Sequence, residues 1–283
     1  MTASIPLRRV RFADGATVPA LGLGTWTMGE QARNAAREAD ALRAGLDLGM
    51  TLIDTAEMYG DGGAEKIVAR AIAGRRDDVF LVSKVYPHNA TAKGTIAACE
   101  RSLARLRTER LDLYFLHWRG AVPLAETVDA FERLRAQGKI ARWGVSNFDV
   151  ADLRELFALP EGARCATNQV LYNIAERGIE WEVRGLCHRH GLPVMAYSPF
   201  GQGALLADRK LAKVAAAYAL SPARLAIAWL LAQEGVIAIP QSSKPEHVAE
   251  CRSAADVRLP PAALAAIDAM FPPPRKARPL AML

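Results

Sequence analysis

Four residues of different chemistry follow short apolar runs at wide intervals: Asp54 with Tyr59 after Thr51–Ile53, Lys84 after Leu81-Val82, and His117 after Phe115-Leu116. Together they make a proton-delivery set. A tyrosine ordinarily titrates near pH 10, too high for efficient proton exchange near neutrality. A neighbouring ammonium favours the phenolate and is expected to lower that value. The ammonium needs a carboxylate to fix its position and charge, and a neutral histidine can hold a carbonyl oxygen through a hydrogen bond. Tyr59, Lys84, Asp54 and His117 brought to one volume would deliver a proton to a carbonyl being reduced. Each has a plainer role alone: loop cap for Asp54, packed ring for Tyr59, snorkelling stem for Lys84, structural hydrogen bond for His117.

The elements that would position them recur along the chain. A hairpin is expected first, over Arg8–Phe12 and Thr17–Leu21 with its turn at Asp14-Gly15. Eight apolar runs follow: Leu21–Gly24, Thr51–Ile53, Val79–Val82, Leu111–Leu116, Ile140–Val145, Ala166–Val170, Pro193–Ala196 and Val236–Ile239. Amphipathic helical stretches separate them, with Gly49, Gly74, Gly138 and Gly191 just past helix ends and Ser221-Pro222 opening another helix. Continuous apolar runs belong to parallel strands covered on both faces. Eight in one unbroken alternation predict a single-domain (β/α)₈ TIM barrel with an N-terminal hairpin spanning residues 1–283; a doubly wound open sheet is the alternative. A barrel carries its site at the strand C-terminal ends, where the later runs place Ser146-Asn147, Gln169, Tyr197-Ser198 and Gln241-Ser242 beside the first four residues.

Composition narrows the classes further. The 283 residues are 51% hydrophobic and 23% charged, ordinary for a globular protein and enough to bury a core without disulfides. The formal charge of +6 is interleaved with acids and accompanied by no nucleic-acid motif, so no nucleic-acid partner is expected. No membrane span or leader is read, the latter over Met1–Arg9, and four scattered cysteines fit a reducing, cytoplasmic setting. No metal-ligand spacing, nucleophile elbow or Walker loop is present, and Gly22–Gly29 is too loosely spaced for a Rossmann fingerprint.

The ordered motifs resemble the aldo/keto reductases over nearly the whole chain. They are Gly22-Leu-Gly24-Thr25-Trp26, Ile53-Asp54-Thr-Ala with Tyr59, Val82-Ser-Lys84, Leu116-His117-Trp118, Gly144-Val-Ser146-Asn147-Phe148, Asn168-Gln169, Ala196-Tyr197-Ser198-Pro199 and Ile239-Pro240. Within the family, the segments around Tyr59 and Trp143–Asn147 and the short C-terminal tail look like bacterial methylglyoxal-reductase-type members.

The resemblance implies an NAD(P)H-dependent carbonyl reductase of small aldehydes and ketones. Tyr59 would be its general acid, Lys84 would lower the tyrosine's pKa, Asp54 would support Lys84, and His117 would orient the carbonyl. It implies that Ser146, Asn147 and Gln169 hold the nicotinamide carboxamide and that Tyr197 stacks on its ring. Gly24, Thr25, Trp26 and Asp54 also belong to the cofactor site, and Ser198, Pro199, Phe200 and Gln202 follow the pyrophosphate. Gln241, Ser242, Ser243, Lys244, His247, Glu250 and Cys251 surround the adenosine end. Trp26, Tyr59, Tyr86, Pro87, His88, His117 and Trp118 form the substrate wall.

One departure concerns the cofactor. NADPH-binding members usually carry a lysine after the proline of the eighth strand and an arginine six positions on; here those places hold Gln241 and His247. NADP(H) is the expected cofactor, with Lys244 compensating, and NAD(H) is the alternative. The reading expects a small carbonyl substrate, a monomer or weak oligomer, and an open pocket because the tail after Phe271 is short. A different class stays open at this stage: a low-turnover nucleotide-binding sensor or regulatory barrel of the same family.

Overall fold

The computed structural model describes residues 6–283; the first five residues of the leader reading lie outside it. A hairpin of β1 (Arg9–Arg11) and β2 (Thr17–Pro19) pairs Val10 with Val18. Its turn forms where expected, with Gly15 left-handed and Asp14 accepting the Ala16 N–H at 3.0 Å. Eight parallel strands follow: β3 (Leu23–Gly24), β4 (Leu52–Asp54), β5 (Phe80–Val85), β6 (Leu113–Leu116), β7 (Trp143–Ser146), β8 (Asn168–Leu171), β9 (Val194–Tyr197) and β10 (Val236–Ala238). Consecutive strands are neighbours throughout. The ring closes as Gly22 and Gly24 donate N–H bonds to Ala238 and Pro240, both at 2.8 Å. A Cβ on Gly24 would lie 2.9 Å from the Ile239 carbonyl, so the seam is a close backbone approach. The barrel is confirmed and the open sheet is not.

The helices are α1 (Ala35–Asp47), α2 (Gly63–Ala71), α3 (Ala92–Leu106), α4 (Leu124–Ala136), α5 (Val150–Ala158), α6 (Val183–Arg189), α7 (Arg209–Ala217), α8 (Pro222–Leu231), α9 (Pro245–Ser253) and α10 (Pro261–Met270). Their ends follow local chemistry. Thr91 and Ser221 cap α3 and α8, Asp149 and Asp152 form a capping box on α5, and the four glycines expected at helix ends are left-handed. Strict one-to-one alternation fails: α7 and α8 both lie between β9 and β10, and α10 follows α9 without an intervening strand. Among the described residues no single helix is long and apolar enough to cross a membrane.

Strand parity sorts the core into two layers. Ile53, Leu81, Val85, Tyr114, Leu116 and Val145 face the helices. Leu52, Val82, Leu113, Phe115, Met195 and Ile237 fill the barrel, whose floor is packed by Val10, Phe12 and Val18 of the hairpin. Phe115 leaves no space for a side chain at position 144, where a Cβ would sit 2.7 Å from its ring, hence Gly144. The same parity turns Asp54, Lys84, Ser146, Gln169 and Tyr197 inward above that apolar plug.

Candidate active site

At the C-terminal ends of the strands a cavity of about 540 Å³ opens, within the usual range for a small-molecule site. Lys84 lies beneath it, fully buried, and each of its ammonium protons has an acceptor. These are Asp54 Oδ2 at 2.6 Å, the Thr55 carbonyl at 2.9 Å and the Tyr59 hydroxyl at 3.2 Å. The second Asp54 oxygen accepts from Gln169 Nε2 at 2.8 Å, and Thr25 Oγ1 donates to the Asp54 carbonyl at 3.0 Å. Tyr59 thus meets a fixed cation from below while its ring borders the cavity. His117 completes the group, its ring centroid 5.6 Å from that of Tyr59 in an edge-on arrangement. Its Nδ1 is buried without a partner among the described residues.

The electrostatics correct one expectation. Burial raises the Tyr59 pKa well above its ordinary value and the Asp54 charge raises it further. Burial also lowers the pKa of Lys84, with Asp54 and Glu65 opposing. Tyr59 is therefore held as the protonated phenol. Burial, then the Lys84 charge, push His117 well below the ordinary histidine range, so its imidazole is neutral.

Two glutamates bracket this group. Glu57, two residues before Tyr59, accepts the Tyr86 N–H at 2.8 Å and Asn89 Nδ2 at 3.0 Å through Oε1, joining the Tyr59 loop to the exit of β5. Glu65, fully buried on α2, accepts from Ser83 Oγ at 2.7 Å and from Arg105 Nε at 2.5 Å. Each grips β5 beside Lys84. Glu57→Ala is expected to leave the Tyr86 N–H unpaired, at a cost of about 1–3 kcal/mol, and to lower kcat/KM about tenfold. Glu57→Gln keeps the acceptor and should stay close to wild type. Thermal melts and steady-state kinetics check this; equal losses in both variants would assign the effect to the charge.

Sixteen of the sequence-nominated residues line the cavity: Gly24, Thr25, Trp26, Asp54, Tyr59, His117, Trp118, Ser146, Asn147, Gln169, Tyr197 to Phe200, Gln202 and Gln241. Asn147 accepts the Tyr197 hydroxyl at 2.9 Å and donates to the His117 carbonyl at 3.2 Å, tying the two expected nicotinamide holders together. Tyr86 stands behind Trp118, ring centroids 4.9 Å apart, and Trp118 in turn meets His117 at 4.9 Å. His88 packs on Tyr86, and Pro87 is buried.

The nominated adenosine residues Ser242, Ser243, Lys244, His247, Glu250 and Cys251 are outside the cavity, running from Gln241 along the start and side of α9. Cys251 faces inward rather than outward: it is buried in the core and burial pushes its thiol up to about 12.

Sequence reasoning missed Thr27, Met58, Gly203, Leu206, Ile239, Met282 and Leu283 in the lining. The last two overturn the open-pocket expectation: the tail folds back so that Met282 and Leu283 border the mouth. A backbone signal marks the same place. Of the non-glycine residues with left-handed φ, Thr27, Asn147, Ser198 and Gln202 all border this cavity. Such conformations gather at ligand sites, where surrounding structure holds the strain.

Fold and site together define a barrel reductase site. The aldo/keto reductase family model matches residues 20–271, and the chain belongs to that family. It is 50% identical to a methylglyoxal reductase of Escherichia coli K12 over 95% of this chain and 96% of that one. It is 33% identical to a glyoxal reductase of Bacillus subtilis 168, over 92% of each. An aldo/keto reductase of Klebsiella pneumoniae, solved in complex with NADP and acetate, superposes with a TM-score of 0.95. That structure is 49% identical and is covered in full, against 98% of this chain.

Proposed function

We propose that this aldo/keto reductase reduces small aldehydes and ketones, 2-oxoaldehydes such as methylglyoxal among them, with NADPH as the preferred reductant. The observation that carries the reading is the fully bonded Lys84 ammonium, 3.2 Å beneath a Tyr59 hydroxyl that borders the cavity. The residues fit the cofactor. Inward amide and hydroxyl groups of Ser146, Asn147 and Gln169 suit a carboxamide, the partly exposed Tyr197 ring suits a flat heterocycle, and left-handed residues of 198–203 shape a path along the mouth. When bound, a reduced nicotinamide supplies the hydride. Support comes also from the NADP complex of the K. pneumoniae structure and the methylglyoxal reductase relative.

The chain's own residues manage the proton. A neutral His117 ring at the cavity edge holds the substrate carbonyl oxygen near Tyr59. The Tyr59 hydroxyl gives that oxygen its proton, and the phenolate left behind is stabilised by Lys84, whose charge Asp54 and Gln169 keep in place. The same reading takes residues 1–283 as one catalytic unit of the cytoplasm, monomeric or weakly associated, acting on a small molecule.

The test follows NADPH consumption with methylglyoxal across pH. Because His117 titrates well below the ordinary range, kcat is expected to stay flat through about pH 5.5–7.5, where an ordinary histidine would show an inflection. Because Tyr59 is raised and Lys84 lowered, the alkaline decline belongs to loss of the ammonium charge and starts below the ordinary lysine value. Nucleotide binding without turnover of any aldehyde or ketone would instead favour a sensor role.

A further inference from the structure

Strands β8 and β9 lie side by side with Leu171 level with Tyr197, so the loops that leave their ends run together. Asn173, two positions past Leu171, is buried and makes two sets of bonds. Its Oδ1 accepts the N–H groups of Ala175 and Glu176, both at 2.9 Å, and its own N–H donates to the Glu176 carbonyl at 3.2 Å. Those bonds knot its own loop. Its Nδ2 leaves that loop and donates to the Ser198 carbonyl at 2.9 Å, one residue past the end of β9.

Ser198 begins the irregular segment along the cavity. Its φ of 48° is left-handed, a costly conformation for a residue with a Cβ, and Gly201, Gln202 and Gly203 follow with φ of 55°, 55° and 95°. The Ser198 carbonyl also accepts the Gly201 N–H at 2.9 Å, which closes the turn, while Gly203 and Leu205 donate to the Phe200 carbonyl at 3.0 and 3.1 Å. These bonds stay within the segment. The Asn173 bond comes from a neighbouring strand's loop and lands on the first left-handed residue. A Cβ on Gly201 would stand 4.0 Å from Asn173 Nδ2, so the two loops meet there. Ser198, Gln202 and Gly203 border the cavity, and Asn173 stands behind them.

The residue type fits both sets of bonds. An aspartate would serve the loop alone, since two N–H groups ask only for an acceptor and aspartate suits such turns. The amide adds a donor, which is what the Ser198 carbonyl requires. We infer that Asn173 is a positioning residue for cofactor binding: its amide holds Ser198 in the left-handed turn and so keeps residues 198–203 in the shape that receives the nucleotide's diphosphate. The assignment rests on the reductase reading above, which runs the cofactor along this segment. A segment already held in its bound shape loses less freedom when the ligand arrives, so the bond acts on affinity. The Asn173 side chain bonds to neither Tyr59 nor Lys84, and the chemistry of the loaded enzyme should be indifferent to it.

The experiment uses Asn173→Asp in the full chain, which keeps the acceptor for Ala175 and Glu176 and removes the donor to Ser198. Binding of NADP⁺ and NAD⁺, which share the diphosphate, is read from tryptophan fluorescence, with Trp26 on the cavity wall as a reporter. Methylglyoxal kinetics are taken at saturating NADPH, and hydrogen exchange of the free protein is mapped by mass spectrometry. Expected are Kd values raised about 10-fold for both nucleotides, a kcat no lower than about a third of wild type, and faster exchange confined to residues 198–206. If Asn173→Asp does not fold, Asn173→Ser carries the same comparison, since its short hydroxyl can serve its own loop and cannot span to Ser198. Wild-type affinity in a folded variant, or a kcat that falls as far as the affinity, overturns the assignment and leaves the reductase reading standing. Wild type that binds neither nucleotide overturns both.

Discussion

Tyr59→Phe is expected to lower turnover of methylglyoxal by about 10²–10⁴ while leaving the affinity for NADPH close to wild type. The substitution removes one hydroxyl whose single described partner is Lys84 Nζ, at 3.2 Å. The ring keeps its edge-on packing against His117, because phenylalanine has the same outline. Lys84 still has Asp54 and the Thr55 carbonyl, so the buried ammonium stays anchored. The loss therefore falls on proton delivery rather than on the fold, and kcat should drop without a matching rise in KM. Single-turnover kinetics with saturating cofactor measure it. A variant that turns over at the wild-type rate would remove Tyr59 from the reaction, and His117, neutral and bordering the same cavity, would become the donor to test.

The parts of this site that were legible in the sequence are those that strand parity controls. A polar residue ending an apolar run, at the phase that points into the barrel, can be read from Leu52-Ile53-Asp54 or Val82-Ser83-Lys84 by pattern alone, and the fold turns Asp54 and Lys84 to the same interior. Parity also carried Ser146, Gln169 and Tyr197. It says nothing of residues placed by irregular backbone. Thr27 and Met58 sit in turns after β3 and β4, and Leu206 lies in the irregular segment before α7. Met282 and Leu283 reach the mouth through a tail with no periodicity and line it together with Tyr197, far away in the chain. The length of a short tail argues for an open pocket, but the direction the tail takes decides the matter, and sequence carries no direction.

Energetic balance was the other illegible quantity. Residue types alone argue that an ammonium lowers a neighbouring tyrosine. Whether it does depends on how deeply both are buried and on what else the ammonium faces. Here desolvation of the phenol prevails, with the Asp54 charge adding to it. Gln169 is a similar case. The resemblance implies a place for it at the nicotinamide, and its amide is already bound to Asp54, so it also supports the ion pair.

Lys84→Met is expected to separate stability from activity. The Lys84–Asp54 pair has side-chain exposures of 0% and 3%. Removing one member of so buried a pair leaves an uncompensated charge and costs about 3–5 kcal/mol. Gln169 cannot replace the ammonium, since an amide carries no charge. The double variant Asp54→Asn/Lys84→Met removes both charges, fills the site with a stem of similar volume and should recover much of the lost stability, because a buried pair replaced as a unit is often close to neutral. Activity should not recover. In both variants Tyr59 loses the donor that stabilises its phenolate, a charge-assisted bond whose loss is worth about 10- to 100-fold in rate. Urea unfolding and steady-state rates on the same preparations decide it. A single variant as stable as wild type would contradict the buried ion pair. A double variant that regains turnover along with stability would show that Lys84 serves the fold alone, leaving the phenol of Tyr59 to act without a cation beneath it.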